Sequence, residues 1–349
     1  MSPQTEEKPD VKDDFVKREI IWPKVLFWIY IHCCAAYGAL MIFTEAKLTT
    51  TLFCLLLIMI TSLGNTIGAH RLWAHKTYTA AWPLRLLLIT FQTLSMTGSV
   101  YDWVLDHRLH HKYHGTDKDK YNFKRGFFFA HMGNRYHTSN PESEHLHTQV
   151  DMRDIEADPI VMWQNRLYWV FAIILGVILP VNTPMEYWNE SGVNAVFVLG
   201  FFRIAVSIHM VWLINSANIL WGLDPLDKRS ADTNLVFLVN KSLWPQYHYL
   251  LPFDYRSGEY GTYNEGCSTA FLRIFAALGW ATDLRTIDTN TIRESLPECV
   301  KFKKPLVNVL KEVPELPALP QLPDLSSQSS SKTLPQVNNK TLPSPDLKE

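Results

Sequence analysis

Apolar residues concentrate in four runs along the chain, separated by polar segments of unequal length. The runs cover residues 24–43, 49–69, 167–181 and 193–216. A helix needs about 20 mostly apolar residues to cross the hydrocarbon core of a bilayer. The pattern therefore predicts an all-α integral membrane protein in which four transmembrane helices form two pairs, each joined by a short polar connection.

A fifth apolar stretch, Trp82–Val100, lies between the two pairs. A fifth span would place later parts of the chain on opposite sides of the membrane, so we interpret this stretch as a re-entrant or interfacial helix. Residues 1–20 are polar and contain no apolar signal-peptide core. Residues 305–349 are rich in Pro and Ser without periodicity, which predicts a disordered tail. The membrane domain is predicted over residues 21–304.

The distribution of Lys and Arg predicts the orientation of the spans, because these residues are retained on the cytosolic side during insertion. The segment before the first span carries Lys8, Lys12, Lys17 and Arg18. No Lys or Arg lies between Leu167 and Phe202, and the first connecting loop has only Lys47. Both short connections are therefore predicted to face away from the cytosol. Both chain termini, with residues 70–165 and the segment from residue 220 onward, are predicted to be cytosolic.

Composition narrows the class of protein further. The 349 residues are 47% hydrophobic and 19% charged, and a net charge of -1 offers no long-range attraction to nucleic acid. The five cysteines are odd in number and lack CxxC spacing, which argues against a disulfide framework or a zinc knuckle. The four apolar runs thus predict the membrane as a partner, and the near-zero net charge predicts no nucleic-acid partner. The thirteen histidines are the unusual feature of the chain.

Histidines occur in three local segments, which contain His70 and His75, then His107, His110 and His111, and then His248. The second segment has the clearest geometry. His107, His110 and His111 are spaced i, i+3 and i+4, so one helix face would present all three imidazoles. His70 and His75 are five residues apart, which on an ideal α-helix corresponds to a rotation of about 140°. We therefore expect His70 to end the second span and His75 to lie beyond it, on a different face.

Each histidine pattern also has a simpler interpretation. The single residues His32, His131 and His209 are typical of packed or surface histidines, and an HxxHH triplet also occurs on solvated helix faces. Two boxes, HxxxxH and HxxHH, on the same predicted side of the membrane favour a metal site instead. Imidazole ligands suit iron, copper, zinc or nickel, so the residue types leave the metal open.

Five motifs make the chain resemble the membrane fatty acyl-CoA desaturases, particularly the insect members. They are GAHRLWAH at 68–75, DHRLHHKY at 106–113, RGFFF at 125–129, WLINS at 212–216 and PFDYR at 252–256. A weaker match is the acidic stretch at 154–158. The similarity extends over about residues 20–302.

The resemblance implies four spanning helices beneath a helical cytosolic cap that holds two irons in the endoplasmic reticulum membrane. It further implies electron supply through cytochrome b5 and dioxygen-dependent introduction of a double bond into an acyl-CoA chain, with the metal carrying out the oxidation. By similarity, the iron ligands would be His70, His75, His107, His110, His111 and His248. Asn215 would lie near the metal through water, and Trp212 would line the acyl tunnel.

Three positions depart from the ligand pattern of this family. Its third box, His-Asn-Tyr-His-His, is here Pro245-Gln-Tyr-His248-Tyr249, and its Asn-Ser-Ala-Ala-His is here Asn215-Ser-Ala-Asn-Ile219. Six of the nine imidazoles that the resemblance implies remain. The resemblance implies two irons, whereas the remaining ligands leave open whether the chain binds fewer than two. Tyr249 offers a phenolate, and no spacing predicts His114, His145 or His147 as replacements.

Basic residues expected at the CoA phosphates are also replaced. The Arg that precedes Asp-His-Arg in the family is Leu105, and an Arg-Lys pair is Thr138-Ser139. Three hypotheses follow: an active acyl-CoA desaturase, a non-catalytic relative that binds lipid or pairs with an active desaturase, and a hydroxylase with a modified metal site.

Overall fold

A computed structural model describes residues 17–140, 142–221, 248, 251–259, 264 and 266–287. Most of the predicted N-terminal segment and the whole predicted tail, 305–349, lie outside the described residues. So do the changed ligand positions Pro245 and Tyr249 and the side chain of Ile219. The membrane spans and most of the predicted histidine boxes fall within them.

The described residues are mostly helical. In chain order the helices are α1 Trp22–Thr44, α2 Leu48–Ala74, α3 Trp82–Thr93, α4 Val100–Lys112, α5 Phe127–His131, α6 Ser143–His147, α7 Arg153–Glu156, α8 Pro159–Arg166, α9 Tyr168–Trp188, α10 Gly192–Ala217 and α11 Cys267–Ala277. Two short strands, β1 Thr79–Ala80 and β2 Ala281–Thr282, pair antiparallel, with Thr79 opposite Thr282.

Four of these helices, α1, α2, α9 and α10, are long and apolar enough to cross a membrane. Many large apolar side chains of α1 point outward, including Leu26, Phe27 and Phe43. Such outward-facing side chains are expected of a helix surrounded by lipid. The predicted fold class, an all-α membrane protein with four spans, is confirmed.

The third span is longer than predicted. The sequence pattern ends it at residue 181 and predicts a polar loop over 182–191, whereas α9 continues to Trp188. Asn182 and Thr183 donate side-chain hydrogen bonds to carbonyls four residues earlier, at 2.7 Å in both cases, so these polar residues are accommodated within the helix. Pro184 also lies inside the helix. Proline is tolerated in membrane helices where side chains and local π-helical turns satisfy the backbone, and a π-helical turn occupies Ile174–Ile178.

The fifth apolar stretch forms a helix that is too short to span. α3 has 12 residues and ends at Thr93, and a separate helix, α4, starts at Val100. This confirms that the stretch is not a fifth transmembrane span. Its Leu88 belongs to the main hydrophobic core, together with Ile67 of α2, Val104 of α4 and Leu272 of α11.

A buried arginine connects three membrane elements. Arg203 of α10 donates hydrogen bonds to the carbonyl oxygens of Leu199 at 2.8 Å and Leu94 at 2.9 Å, and also to that of Gly176. A charged side chain inside a membrane is costly unless such partners are available. Arg203 thereby connects its own helix, α10, to Gly176 of α9 and to Leu94, the residue that follows α3. The same helix, α10, carries Asn215.

Gly64 lies where α2 and α3 approach each other closely. A Cβ atom at this position would lie 2.3 Å from the backbone nitrogen of Gln92 and 2.5 Å from the carbonyl carbon of Phe91. Both neighbours are backbone atoms, which cannot move by a rotamer change. The α2–α3 packing therefore requires glycine at position 64.

We expect Gly64→Ala to force α2 and α3 apart and to destabilise the protein by about 1–3 kcal/mol, the usual range for overpacking. Thermal unfolding in detergent would measure the loss. Gly200→Ala is the matched control within a spanning helix, because its nearest neighbour would be 3.7 Å away. Equal unfolding temperatures for the two variants would contradict the prediction.

Candidate metal centre

The end of α2 brings His70 and His75 together. Residues Gly64–Ala74 form a π-helix, in which backbone hydrogen bonds join residues five apart. The backbone N–H of His75 donates to the carbonyl of His70 at 3.0 Å, and the two ring centroids are 4.7 Å apart. The expectation that these rings lie on different faces was wrong, because it assumed α-helical rotation. His70 also does not end the span, which continues to Ala74.

Helix α4 supplies the second histidine box as its spacing predicts. Ser99 caps the helix by accepting a hydrogen bond from the Asp102 backbone N–H at 3.1 Å. The His107 and His111 ring centroids are 4.7 Å apart, and each of these rings also contacts the His75 ring, at 4.8 and 4.5 Å. The two boxes therefore meet in one cluster.

Four histidines place their nitrogens in one group. One ligand atom from each of His70, His75, His107 and His248 lies within 4.8 Å of all the others. The Nε2 atoms of His75 and His107 are 2.8 Å apart, and those of His70 and His248 are 3.3 Å apart. Two nitrogens bound at right angles to one metal, each at about 2.1 Å, would lie about 3 Å apart. The donor set thus fits a first-row metal ion.

The remaining two predicted ligands occupy different places. His111 contacts the rings of His75, His107 and His248, the last at 5.0 Å, and so belongs to the same cluster of rings. His110 belongs to a second group, in which its ligand atom and those of His114 and Asp119 lie within 4.8 Å of one another. No spacing in the sequence predicts His114 as a ligand, and it lies beyond the end of α4, but the structure places its ring 5.3 Å from that of His110.

Polar side chains orient two of the four imidazoles. Asn215 Oδ1 accepts a hydrogen bond of 2.7 Å from His107 Nδ1, and Glu259 Oε1 accepts one of 3.0 Å from His70 Nδ1. Each bond places the ring hydrogen on Nδ1 and leaves the Nε2 lone pair for a metal, which is the usual arrangement around metal-bound histidine. Asn215 contacts the ring of a predicted ligand directly, and its approach to a metal through water stays a prediction.

Glu259 is itself held by a buried arginine. Arg71 donates from Nε to Glu259 Oε1 at 2.7 Å and from a terminal nitrogen to Oε2 at 3.0 Å, and both side chains are 2% exposed. Burial opposes ionisation of Glu259, but the Arg71 guanidinium and the His70 hydrogen bond outweigh it and lower the pKa of the carboxyl. The carboxylate is therefore charged and fixed. No local motif signals Glu259, because it lies more than 180 residues along the chain from both partners.

Burial also governs the protonation of the clustered histidines. Removal from water, followed by repulsion from neighbouring histidines, holds the pKa of His75, His107, His111 and His248 well below the ordinary value. These rings are neutral at pH 7 and keep a lone pair, which metal binding requires.

Trp212 lies in another part of the structure. It is 2% exposed, and its ring contacts those of Trp28, His131 and His209, with the Arg135 guanidinium 4.5 Å above it. The three histidines interpreted as single packed residues form a hydrogen-bonded chain here. His209 bonds to His32 at 2.8 Å and to His131 at 2.9 Å. They come from α1, α5 and α10, so no local spacing signals the contact.

Fold and site together define a multi-pass membrane protein with buried histidine groups that could hold metal. Comparison with known proteins identifies the family. No family model matches the chain. It is 40% identical over 280 residues to the acyl-CoA Delta-9 desaturase of Acheta domesticus, covering 79% of this chain and 78% of that protein. It is 39% identical over 278 residues to the acyl-CoA Delta12-desaturase of the same species, covering 79% and 78%.

A vertebrate relative matches over a similar share. Stearoyl-CoA desaturase 2 of Mus musculus is 35% identical over 295 residues, which cover 80% of this chain and 82% of that protein. The chain belongs to the acyl-CoA desaturase family, which confirms the resemblance given by its motifs. It is a desaturase-like membrane protein.

We expect Glu259→Gln to weaken metal binding about 10–100-fold, the usual effect of losing a residue that orients a ligand. Gln keeps the shape of the side chain but removes the negative charge to which Arg71 and His70 both donate hydrogen bonds. Metal titration of the purified protein would measure the change. Glu156→Gln, at an exposed position, is the control, and equal affinities for both variants would contradict this role of Glu259.

We expect the metal-free protein to lose stability as the pH falls from about 7.5 to about 5.5. The folded-state pKa of His75, His107, His111 and His248 is lowered, whereas in the unfolded chain it is near 6.5. Below about pH 6.5 the unfolded chain binds protons that the folded chain excludes, so unfolding becomes easier.

The unfolding temperature at the two pH values measures this effect. His75→Gln should reduce the pH dependence, whereas replacing the exposed His145 should leave it unchanged. A metal-free protein that is equally stable or more stable at the lower pH would contradict the expectation.

Proposed function

We propose that this protein is an active fatty acyl-CoA desaturase, which uses dioxygen to introduce a double bond into an acyl chain bound as its CoA thioester. The observation that most directly supports this is the group of imidazole nitrogens from His70, His75, His107 and His248. Relatives named acyl-CoA desaturases, at 40% and 39% identity, support the substrate class.

The metal proposed for this site is iron, which imidazole ligands suit. His70, His75, His107 and His248 would hold it, and His111 contacts the same rings. Bound iron would supply the oxidation by dioxygen, which no side chain of this chain can perform. Glu259 and Asn215 act on the ligands by fixing the ring hydrogens of His70 and His107 on Nδ1. Burial of the cluster excludes bulk water from the reacting position.

Trp212 is proposed to form part of the wall of the acyl tunnel. Its ring is almost fully buried and packs edge-on against Trp28 at a centroid distance of 5.0 Å, so it offers a rigid apolar surface inside the membrane domain. Aromatic rings with such packing position an alkyl chain without hydrogen bonding to it.

The setting proposed for the enzyme is the endoplasmic reticulum membrane, with both termini cytosolic. The excess of Lys and Arg before α1 and their absence between Leu167 and Phe202 support this orientation. Cytochrome b5 is the proposed electron donor, as the family resemblance implies. Two electrons from the donor and two hydrogens from the acyl chain, with two protons, reduce one dioxygen to two waters.

Expression in a yeast strain that lacks its own desaturase tests the proposal, with the fatty-acid profile as the readout. We expect new unsaturated acyl chains from the parent protein and from His145→Ala, and none from His75→Ala. The profile would also identify the double-bond position.

A parent protein that is inserted in the membrane yet yields no new double bond would contradict the proposal. The triple variant Ile219→His, Pro245→His, Tyr249→His then identifies the cause. Restored desaturation would attribute the defect to the lost ligands, and the chain would be a non-catalytic relative. If the triple variant also yields no new double bond, the changed CoA contacts at Leu105 and Thr138-Ser139 become the explanation.

A further inference from the structure

The face of α4 that carries the second histidine box extends beyond the helix. His114 follows His107, His110 and His111 at i+7, i+4 and i+3, and its ring centroid lies 5.3 Å from that of His110. Asp119, in the following turn, contacts His110 Nδ1 with both oxygens, at 2.8 and 2.9 Å. Its Oδ2 is 4.0 Å from His114 Nδ1.

We propose that His110, His114 and Asp119 form a second metal site, which binds iron(II) through two imidazoles and one carboxylate. Two histidines and one carboxylate with open positions are the ligand set typical of non-haem iron(II) oxygenases. This inference rests on the proposed function only for the identity of the metal.

The distances suit one ion bound by all three side chains. Donors at about 2.0–2.2 Å from a metal lie about 2.8 to 4.4 Å apart as the angle between them widens from about 90° to about 180°. The separations of 2.8 Å from His110 and 4.0 Å from His114 to Asp119 both fall in this range. Binding therefore requires small side-chain movements and no rearrangement of the backbone.

The charge of Asp119 supports a bound cation. Its side chain is 0% exposed, and among the described residues its ion-pair partners are His110 and His114, with Arg18 attracting it without a direct ion-pair contact. The backbone N–H of Tyr121 donates to its Oδ1 at 2.8 Å. A buried carboxylate requires compensation of its charge, which a divalent ion supplies.

This site would replace ligands that the chain has lost. Three positions where the family resemblance implies histidine hold Ile219, Pro245 and Tyr249. His110 adjoins the four-histidine group, since its ring centroid is 5.9 Å from that of His107. A second iron held from the side of Asp119 would restore two metals next to each other with a different ligand set.

Iron counting on the full-length protein in detergent tests the proposal. The metal-free protein is loaded anaerobically with iron(II), desalted and analysed for iron per chain. We expect about two irons in the parent and in the His145→Ala control, and about one in His114→Ala and in Asp119→Asn. The second site should bind iron more than about 100-fold more weakly in these variants, since losing a ligand costs more than losing an orienting partner. His75→Ala should retain the second iron.

Two irons in His114→Ala, or one iron in the parent that only His75→Ala removes, would overturn the proposal. Asp119 would then serve only to orient His110. Thermal unfolding of the metal-free variants separates lost binding from misfolding. If misfolding occurs, His114→Gln, with its position only partly buried, provides the second variant. If the protein desaturates in yeast but its iron count does not depend on His114, this site is rejected and the proposed function is retained. If one iron depends on His114 but no desaturation occurs, the site is retained and the proposed function is rejected.

Discussion

The hydrogen-bond register at the end of α2 determines where two of the candidate metal ligands, His70 and His75, lie. Over Gly64–Ala74 the backbone is bonded across five residues, so His70 and His75, five apart, share one side of the helix. A π-helix is rare and often occurs at functional sites. All eleven residues of this segment are buried, and packing against α3, α4 and α11 stabilises a register that is unfavourable on its own. Gly64 permits the contact with α3 on which that packing depends.

The same segment organises the polar network around the histidines. Arg71 follows His70 directly, and the two side chains converge on one carboxylate, that of Glu259. Burying an ion pair costs a large desolvation free energy, so this pair contributes little to folding. Its value lies in orientation, because Arg71 keeps Glu259 ionised and Glu259 holds the His70 ring with Nε2 toward the cluster. Asn215 acts on His107 in the same way from α10.

Individual histidines show how far local pattern predicts this site. His107, His110 and His111 are predicted together because an α-helix places residues three and four apart on one face, and α4 is an α-helix. The same rule, applied to His70 and His75, fails because their helix is not α-helical. His114 lies beyond the end of α4, and a ligand role there depends on Asp119, which a turn brings alongside. The end of the third span was misplaced because Asn182 and Thr183 satisfy their polarity within the helix.

The sequence by itself determined the four apolar spans, the family and six of the candidate ligands, since these depend on hydrophobic length and on short motifs. Tertiary structure alone decided that His248 joins His70, that Glu259 meets Arg71, and that His32, His209 and His131 form a chain. These partners are separated by tens of residues or more than a hundred, and each contact exists only because buried polar atoms must find partners where packed helices bring them together.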